Sequence, residues 1–178
     1  YALIKLNIQV VVLDNLSTGN LENINKDALF LKEDLCDISS KKLTKILQSI
    51  DVVFHLAALA RVQPSIEDPM PYNAANVTAT LNILHAASNA GVKRVVYSAS
   101  SSCYGDTTKM PQNENDLIRP LSPYGLQKYI GELYCRMFSD VYSLDTVSLR
   151  YFNVYGERMN LSGAYCLVTG IFARQMKQ

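Results

Sequence analysis

The sequence has only two histidines, His55 and His85, and neither has companions at metal-ligand spacing, so no metal centre is expected. Cysteine is sparse as well. Cys36, Cys103, Cys135 and Cys166 lie far apart with no C-x-x-C pair, which argues against a zinc site or a disulfide framework and fits reduced thiols in the cytoplasm. Neither charge is in excess: 17 basic and 16 acidic residues give a net charge of +1, so neither a nucleic acid nor a membrane surface is an expected partner. A small neutral-to-anionic ligand fits better. No stretch approaches the roughly 18 consecutive apolar residues of a membrane helix, and the opening residues lack a basic-then-apolar signal pattern.

What is present is a chain of 178 residues, 48% hydrophobic, long enough to bury one sizeable core. Ile8 to Leu13 is an apolar run ending in Asp14-Asn15, which reads as a buried parallel strand, with Tyr1 to Leu6 as the tail of a preceding helix. Further strands are expected at Leu29 to Lys32, Val52 to His55, Arg94 to Ser98 and Thr146 to Arg150. Between them, Ser40 to Ser49 and Asn73 to Ala90 carry apolar residues at helical spacing, and Gly91 closes the second helix as a C-cap. Ser122-Pro123 starts a helix that runs to about Tyr142, with Ser as cap and Pro in the first turn. Alternating strands and helices predict an α/β fold with a doubly wound, mostly parallel sheet and helices on both faces. The Gly-rich turn expected after the first strand of such a fold is absent. With Tyr1 opening mid-pattern, we expect that strand to be missing too.

Tyr124 and Lys128 stand four residues apart in the first turns of a helix, so they share a face. A free tyrosine ionises near pH 10, about three units above neutrality, and a cation beside it favours the phenolate needed for general-base work. Taken alone the pattern is weak, because a lysine is usually a solvated surface charge. Its setting strengthens it: the strand ending at Ser98 runs into Ala99-Ser100-Ser101-Ser102-Cys103-Tyr104-Gly105-Asp106. That places a hydroxyl cluster at the carboxyl end of a parallel strand, where ligands bind in open sheets.

With these segments the sequence resembles the extended short-chain dehydrogenase/reductase family, and within it the NAD-dependent nucleotide-sugar 4-epimerases, over essentially its whole length. The matching stretches are Val11 to Leu16, Glu33-Asp34-Leu35, His55-Leu56-Ala57-Ala58, Asn76-Val77, Ser98 to Asp106, Ser122 to Lys128, and Leu149-Arg150-Tyr151-Phe152-Asn153. The resemblance implies a Rossmann-type NAD-binding domain over 1–160. It also implies the start of a smaller substrate-binding region at 161–178, with the rest of both ends not included.

The roles that the resemblance implies fall on particular residues. Asp14 and Asn15 meet the adenosine ribose of NAD, where a carboxylate repels the extra phosphate of NADP. Asp34 and Leu35 hold the adenine, Leu56, Ala57, Ala58 and Ala60 line the cofactor, and Phe152 lies beside it. Tyr124 takes the proton from the sugar 4-hydroxyl as hydride leaves C4 for NAD, giving a transient 4-keto intermediate whose opposite face receives the hydride back. Ser100 bonds the sugar oxygen, Lys128 bonds the nicotinamide ribose and tunes Tyr124, and Ser101 and Asn153 contact the UDP-sugar. Some residues stay open: Asn76 reads equally as structural or cofactor-binding, Tyr151 and Phe152 as core or site, and His55 as a structural or cofactor-shell residue.

Rival readings are weighed on the same residues. The family's dehydratases and decarboxylases carry a Glu two residues before the tyrosine matching Tyr104, whereas Ser101 and Ser102 stand here without an acid. A fucose-type epimerase-reductase needs a Cys where Cys103 is one residue out of register. A non-catalytic NAD-binding relative would typically have lost the Tyr-Lys pair. Two departures from the pattern are Ala75, in place of a polar cofactor contact, and Ala60, where some galactose epimerases have Lys. The stretch from Phe152 through Gly156-Glu157-Arg158 to Gly163-Ala164-Tyr165 looks more like epimerases of UDP-N-acetylhexosamines or uronic acids than the galactose enzymes. We expect the 178 residues alone to be inactive, and the whole protein to be a cytoplasmic homodimer serving polysaccharide biosynthesis.

Overall fold

The computed structural model describes residues 1–156, 158, 171–172 and 175–176; Cys166 and most of the region 161–178 lie outside them. Strand β1 (Val11–Asp14) pairs in parallel with β2 (Leu29–Lys32), Val11 opposite Leu29 and Asp14 opposite Lys32. A second sheet has the order β3 (Val52–His55), β4 (Arg94–Ser100), β5 (Asp145–Tyr151), again with both pairs parallel. Helix α1 (Ala2–Lys5) precedes β1, and α2 (Ser40–Leu47) joins β2 to β3. Because strand side chains alternate in direction, each helix meets its own face of the first sheet. Ile4 shares a cleft with Val10 and Val12, whereas Lys42 and Ile46 face Val11, Leu29 and Leu31. The fold is a Rossmann-like α/β fold.

The two sheets share no ladder, and β3 leaves Phe54 52% exposed. Helix α5 (Ala79–Ala90) and helix α6 (Pro123–Tyr142) pack on the side of the second sheet marked by Val95, Tyr97 and Ala99. Leu43 and Leu47 of α2 belong to the same buried cluster, against which Leu13 of β1 also packs, so it ties both sheets together. Gly91 ends α5 at φ 75°, the left-handed cap anticipated from the sequence.

Several boundaries differ from expectation for local reasons. β1 starts at Val11 rather than Ile8, because the Ile8 N–H turns back to the Leu3 carbonyl at 3.1 Å and closes α1. The single helix expected over Asn73 to Ala90 is instead α4 (Pro69–Asn73), a π-helical turn (Ala74–Thr78) and α5. Such π-turns recur at functional sites, and this one carries Asn76. A short helix α3 (Val62–Glu67) had no signal beyond its length, and β4 continues past Ser98 to Ser100 because Ala99 and Ser100 pair with Arg150 and Tyr151 of β5.

Candidate active site

The first turn of α6 is fastened from three sides. Ser122 Oγ accepts from the Gly125 N–H at 3.1 Å, the expected cap. Ser65 of α3, fully buried, accepts from the Tyr124 N–H at 3.1 Å while donating to the Val62 carbonyl at 2.6 Å. Gly125 allows the third contact, since a Cβ there would stand 2.7 Å from the Ser102 carbonyl oxygen. Tyr124 is thereby held against the 3-10 turn Ser101–Tyr104 that follows β4, where Ser100 is 8% exposed and its Oγ accepts from the Ser102 N–H at 3.2 Å.

The Ser100 hydroxyl lies near enough to the Tyr124 phenol to act on its ionisation. Burial raises the Tyr124 phenol above its ordinary value, and the Ser100 hydroxyl works in the opposite direction. Lys128, one turn on and 4% exposed, has its ammonium pulled down to about 8 by burial. Its Nζ lies 4.6 Å from the centroid of the Tyr97 ring. Burial is thus the largest influence on both groups, raising the phenol and lowering the ammonium.

Beside this pair runs the loop after β3. Leu56 is 67% exposed, Ala57 is exposed and Ala58 and Ala60 are half-buried. Asn76, 1% exposed, accepts from the Leu59 N–H and donates to the Leu59 carbonyl, both at 2.9 Å, and also donates to Gln127 Oε1 at 3.1 Å. Its side chain is thus a clamp between that loop and α6. His55, 3% exposed, meets the Thr80 hydroxyl at 2.9 Å.

The second cluster sits at the carboxyl ends of β1 and β2. Asp14 Oδ1 accepts from the Leu16 N–H at 2.6 Å, holding Leu16 at φ 59°, a left-handed conformation that costs a non-glycine residue about 1 kcal/mol or more. Gly19 closes on the same carboxylate, where a Cβ would lie 3.3 Å from Oδ1. Asn15 donates to Asp34 Oδ2 at 2.7 Å, and Asp34 Oδ1 accepts from the Cys36 N–H at 2.8 Å. These bonds hold the Asp34 carboxyl below the usual carboxylate range. Leu35 turns its side chain into the core at 7% exposure, and its carbonyl accepts from Asn82 of α5 at 2.9 Å.

The last group gathers on Arg150. Its Nε and Nη2 reach Glu132 of α6 at 2.8 to 3.1 Å, and its Nη1 donates to the Tyr104 hydroxyl at 2.9 Å and the Glu114 carbonyl at 3.0 Å. Tyr104 stacks on Phe152, centroids 6.5 Å apart. Phe152 is 61% exposed and Tyr151 42%, so neither packs into the core of the described residues; Asn153 is exposed and Ser101 half-buried. Ser65, Gln127 and the Glu132–Arg150 pair were not singled out from the sequence. Only Glu132 left a signal, lying one turn after Lys128.

A parallel sheet with hydroxyl, phenol and lysine gathered beyond the carboxyl end of β4, and two carboxylates beyond β1 and β2, defines a Rossmann-like domain with its site at the strand ends. The sequence profile of the NAD dependent epimerase/dehydratase family matches residues 1–178, and the chain belongs to that family, whose cofactor is NAD. A UDP-glucose 4-epimerase of Mycolicibacterium smegmatis is 39% identical over 163 residues, covering 86% of this chain and 51% of its own length. The structure superposes at a TM-score of 0.92 on a UDP-N-acetylglucosamine 4-epimerase from Methanobrevibacter ruminantium in complex with UDP-N-acetylmuramic acid. That protein is 42% identical, and the match covers 99% of this chain and 57% of it. The TM-score is also 0.92 for the UDP-glucose 4-epimerase of Thermotoga maritima with UDP-glucose, at 36% identity, covering 98% of this chain and 57% of that one. The chain therefore spans about half the length of the relatives it matches.

Proposed function

We propose that this chain is the NAD-binding part of a UDP-sugar 4-epimerase, with Tyr124 as the base, Ser100 and Lys128 as its partners, and a 4-keto sugar as the transient intermediate. The observation that carries the reading is the placement of Tyr124, fastened at the first turn of α6, beside the buried Ser100 at the end of β4, with Lys128 buried one turn along α6. Bound NAD supplies reversible hydride acceptance at C4 of the sugar. The residues present fit it: Asp14, an acceptor-only carboxylate backed by Gly19, suits a ribose diol, Asn15, Asp34 and the Leu35 backbone suit the adenine end, and the small side chains of Ala57, Ala58 and Ala60 beside Leu56 permit close approach.

In this reading Ser100 receives the sugar 4-hydroxyl and passes its proton to Tyr124, and the proton returns by the same path after the keto sugar turns over. Lys128 holds the nicotinamide ribose. Ser101 and Asn153 face the UDP-sugar, and Phe152, stacked on Tyr104, borders the cofactor. The 42% identity to an N-acetylglucosamine enzyme supports an N-acetylhexosamine as the sugar. The whole protein pairs through α5 and α6, where Leu126 and Leu133 are 47% and 49% exposed on one stripe.

The test incubates the intact protein separately with UDP-glucose, UDP-N-acetylglucosamine and UDP-glucuronate and follows C4 inversion by proton NMR. Inversion of one sugar, abolished in Tyr124→Phe, is the expected result. Tightly bound NAD with no inversion of any of them overturns it.

A further inference from the structure

Tyr97 is a core residue, 1% exposed, and both ends of its side chain are engaged by residue 128. Its ring face lies 4.6 Å from Lys128 Nζ, and its hydroxyl donates to the main-chain carbonyl of Lys128 at 3.3 Å. Gly131, in the next turn of α6, makes the fit possible, because a Cβ there would collide with the Tyr97 hydroxyl. A tyrosine placed only to fill the core has no need of this double contact with one residue of one helix.

The surroundings keep the lysine as the cation of the group. Thr80 donates its hydroxyl hydrogen to the Asn76 carbonyl at 2.7 Å, so at 2.9 Å from His55 Nε2 it acts as acceptor and the imidazole donates. The His55 ring, 5.7 Å from that of Tyr97, is neutral because burial depresses its basicity to about 3. The other titratable groups around Lys128 are Tyr124, Glu132 and Cys135 on its own helix. Glu132 is held by Arg150, and the Cys135 thiol is pushed up to about 11 by burial. A ring face attracts an ammonium without imposing a directional acceptor, so the N–H groups of Lys128 can be aimed at the hydroxyls of a ligand.

We propose that Tyr97 is a positioning residue that holds the Lys128 ammonium through its ring face and is itself locked to α6 through its hydroxyl. The inference rests on reading Tyr124 and Lys128 as the reactive pair.

The experiment uses the intact protein labelled with 13C-lysine. The ε-methylene of Lys128, assigned by its loss in Lys128→Met, is expected upfield of the other lysines because of the Tyr97 ring current, and to remain there in Tyr97→Phe. In Tyr97→Leu it returns to an ordinary position, and its titration midpoint falls by about one pH unit as the attraction of the ring is lost. An ordinary ε-methylene position in the unmodified protein overturns the proposal, as does an unchanged midpoint in a folded Tyr97→Leu. If that variant does not fold, the unmodified protein and Tyr97→Phe decide the matter. The readout needs no turnover: an inactive protein with a shifted methylene counts against the epimerase reading and for the contact.

Discussion

Asn76 holds the peptide group of Leu59 from both sides, accepting its N–H and donating to its carbonyl at 2.9 Å each. One amide side chain thereby satisfies two backbone groups of the loop after β3 and passes the connection to Gln127 on α6. Asn76→Leu keeps the size but strands both groups. A loss of about 3 kcal/mol in urea unfolding of the intact protein is expected, together with weaker NAD binding by titration calorimetry. Unchanged stability would mean that the loop finds other partners.

The two serines at the start of α6 are expected to behave as a coupled pair. Ser65→Ala and Ser122→Ala each remove the acceptor of one first-turn N–H and should each cost about 1 kcal/mol. Because the two N–H groups belong to adjacent residues, the double variant should depart from additivity. Chemical denaturation of all three variants checks this. A silent Ser65→Ala would show that α3 does not hold Tyr124.

Arg150 and Glu132 have side chains only 18% and 10% exposed, so breaking the pair leaves a largely buried charge. Glu132→Gln should destabilise by about 2 kcal/mol, the buried-pair range reduced for residual solvent. Since Arg150 also holds the Glu114 carbonyl, limited proteolysis should speed up within 105–121 in the same variant. Arg150→Lys cannot restore the fork.

His55 sets an acid limit on stability. Its basicity in the fold lies near 3 against an ordinary value near 6.5, so the unfolded chain binds the extra proton as pH falls through that window. Stability contributed by the neutral ring is complete above about 6.5 and is lost toward 3, at about 1.4 kcal/mol per pH unit. His55→Gln, which retains a donor for Thr80, should flatten this part of the stability profile. Urea midpoints across pH 3.5 to 7.5, roughly the window above, provide the test; parallel profiles for both proteins would exclude His55 as the source.

Lys128 has the same sign on the alkaline side. Burial lowers its ammonium from 10.5 to about 8 in the fold, so the intact protein should gain stability as pH rises through that interval. Lys128→Met should remove the gain, read from melting temperatures between pH 7 and 10, roughly.

Much of this architecture was legible in the residues themselves. Ile8 to Leu13 and Val52 to His55 are apolar runs that read as strands, although Val52 and Phe54 are exposed in the structure, Ser122-Pro123 is a helix start whatever surrounds it, and Gly91 supplies a left-handed cap. Tyr124 and Lys128 share a face because α-helical spacing puts them there. These features depend on local sterics and periodicity, which a sequence carries directly.

Only the tertiary structure decided the rest, because it depends on which groups burial brings together. Ser65 on a six-residue helix has no local mark of a cap, and it becomes one because α3 packs against α6. Asn76 reads equally as a ligand contact or a structural residue until the Leu59 peptide closes on it. Spacing alone did not show that burial raises the Tyr124 phenol and lowers the Lys128 ammonium, since spacing reports proximity while the cost of burying a charge depends on everything else packed around it.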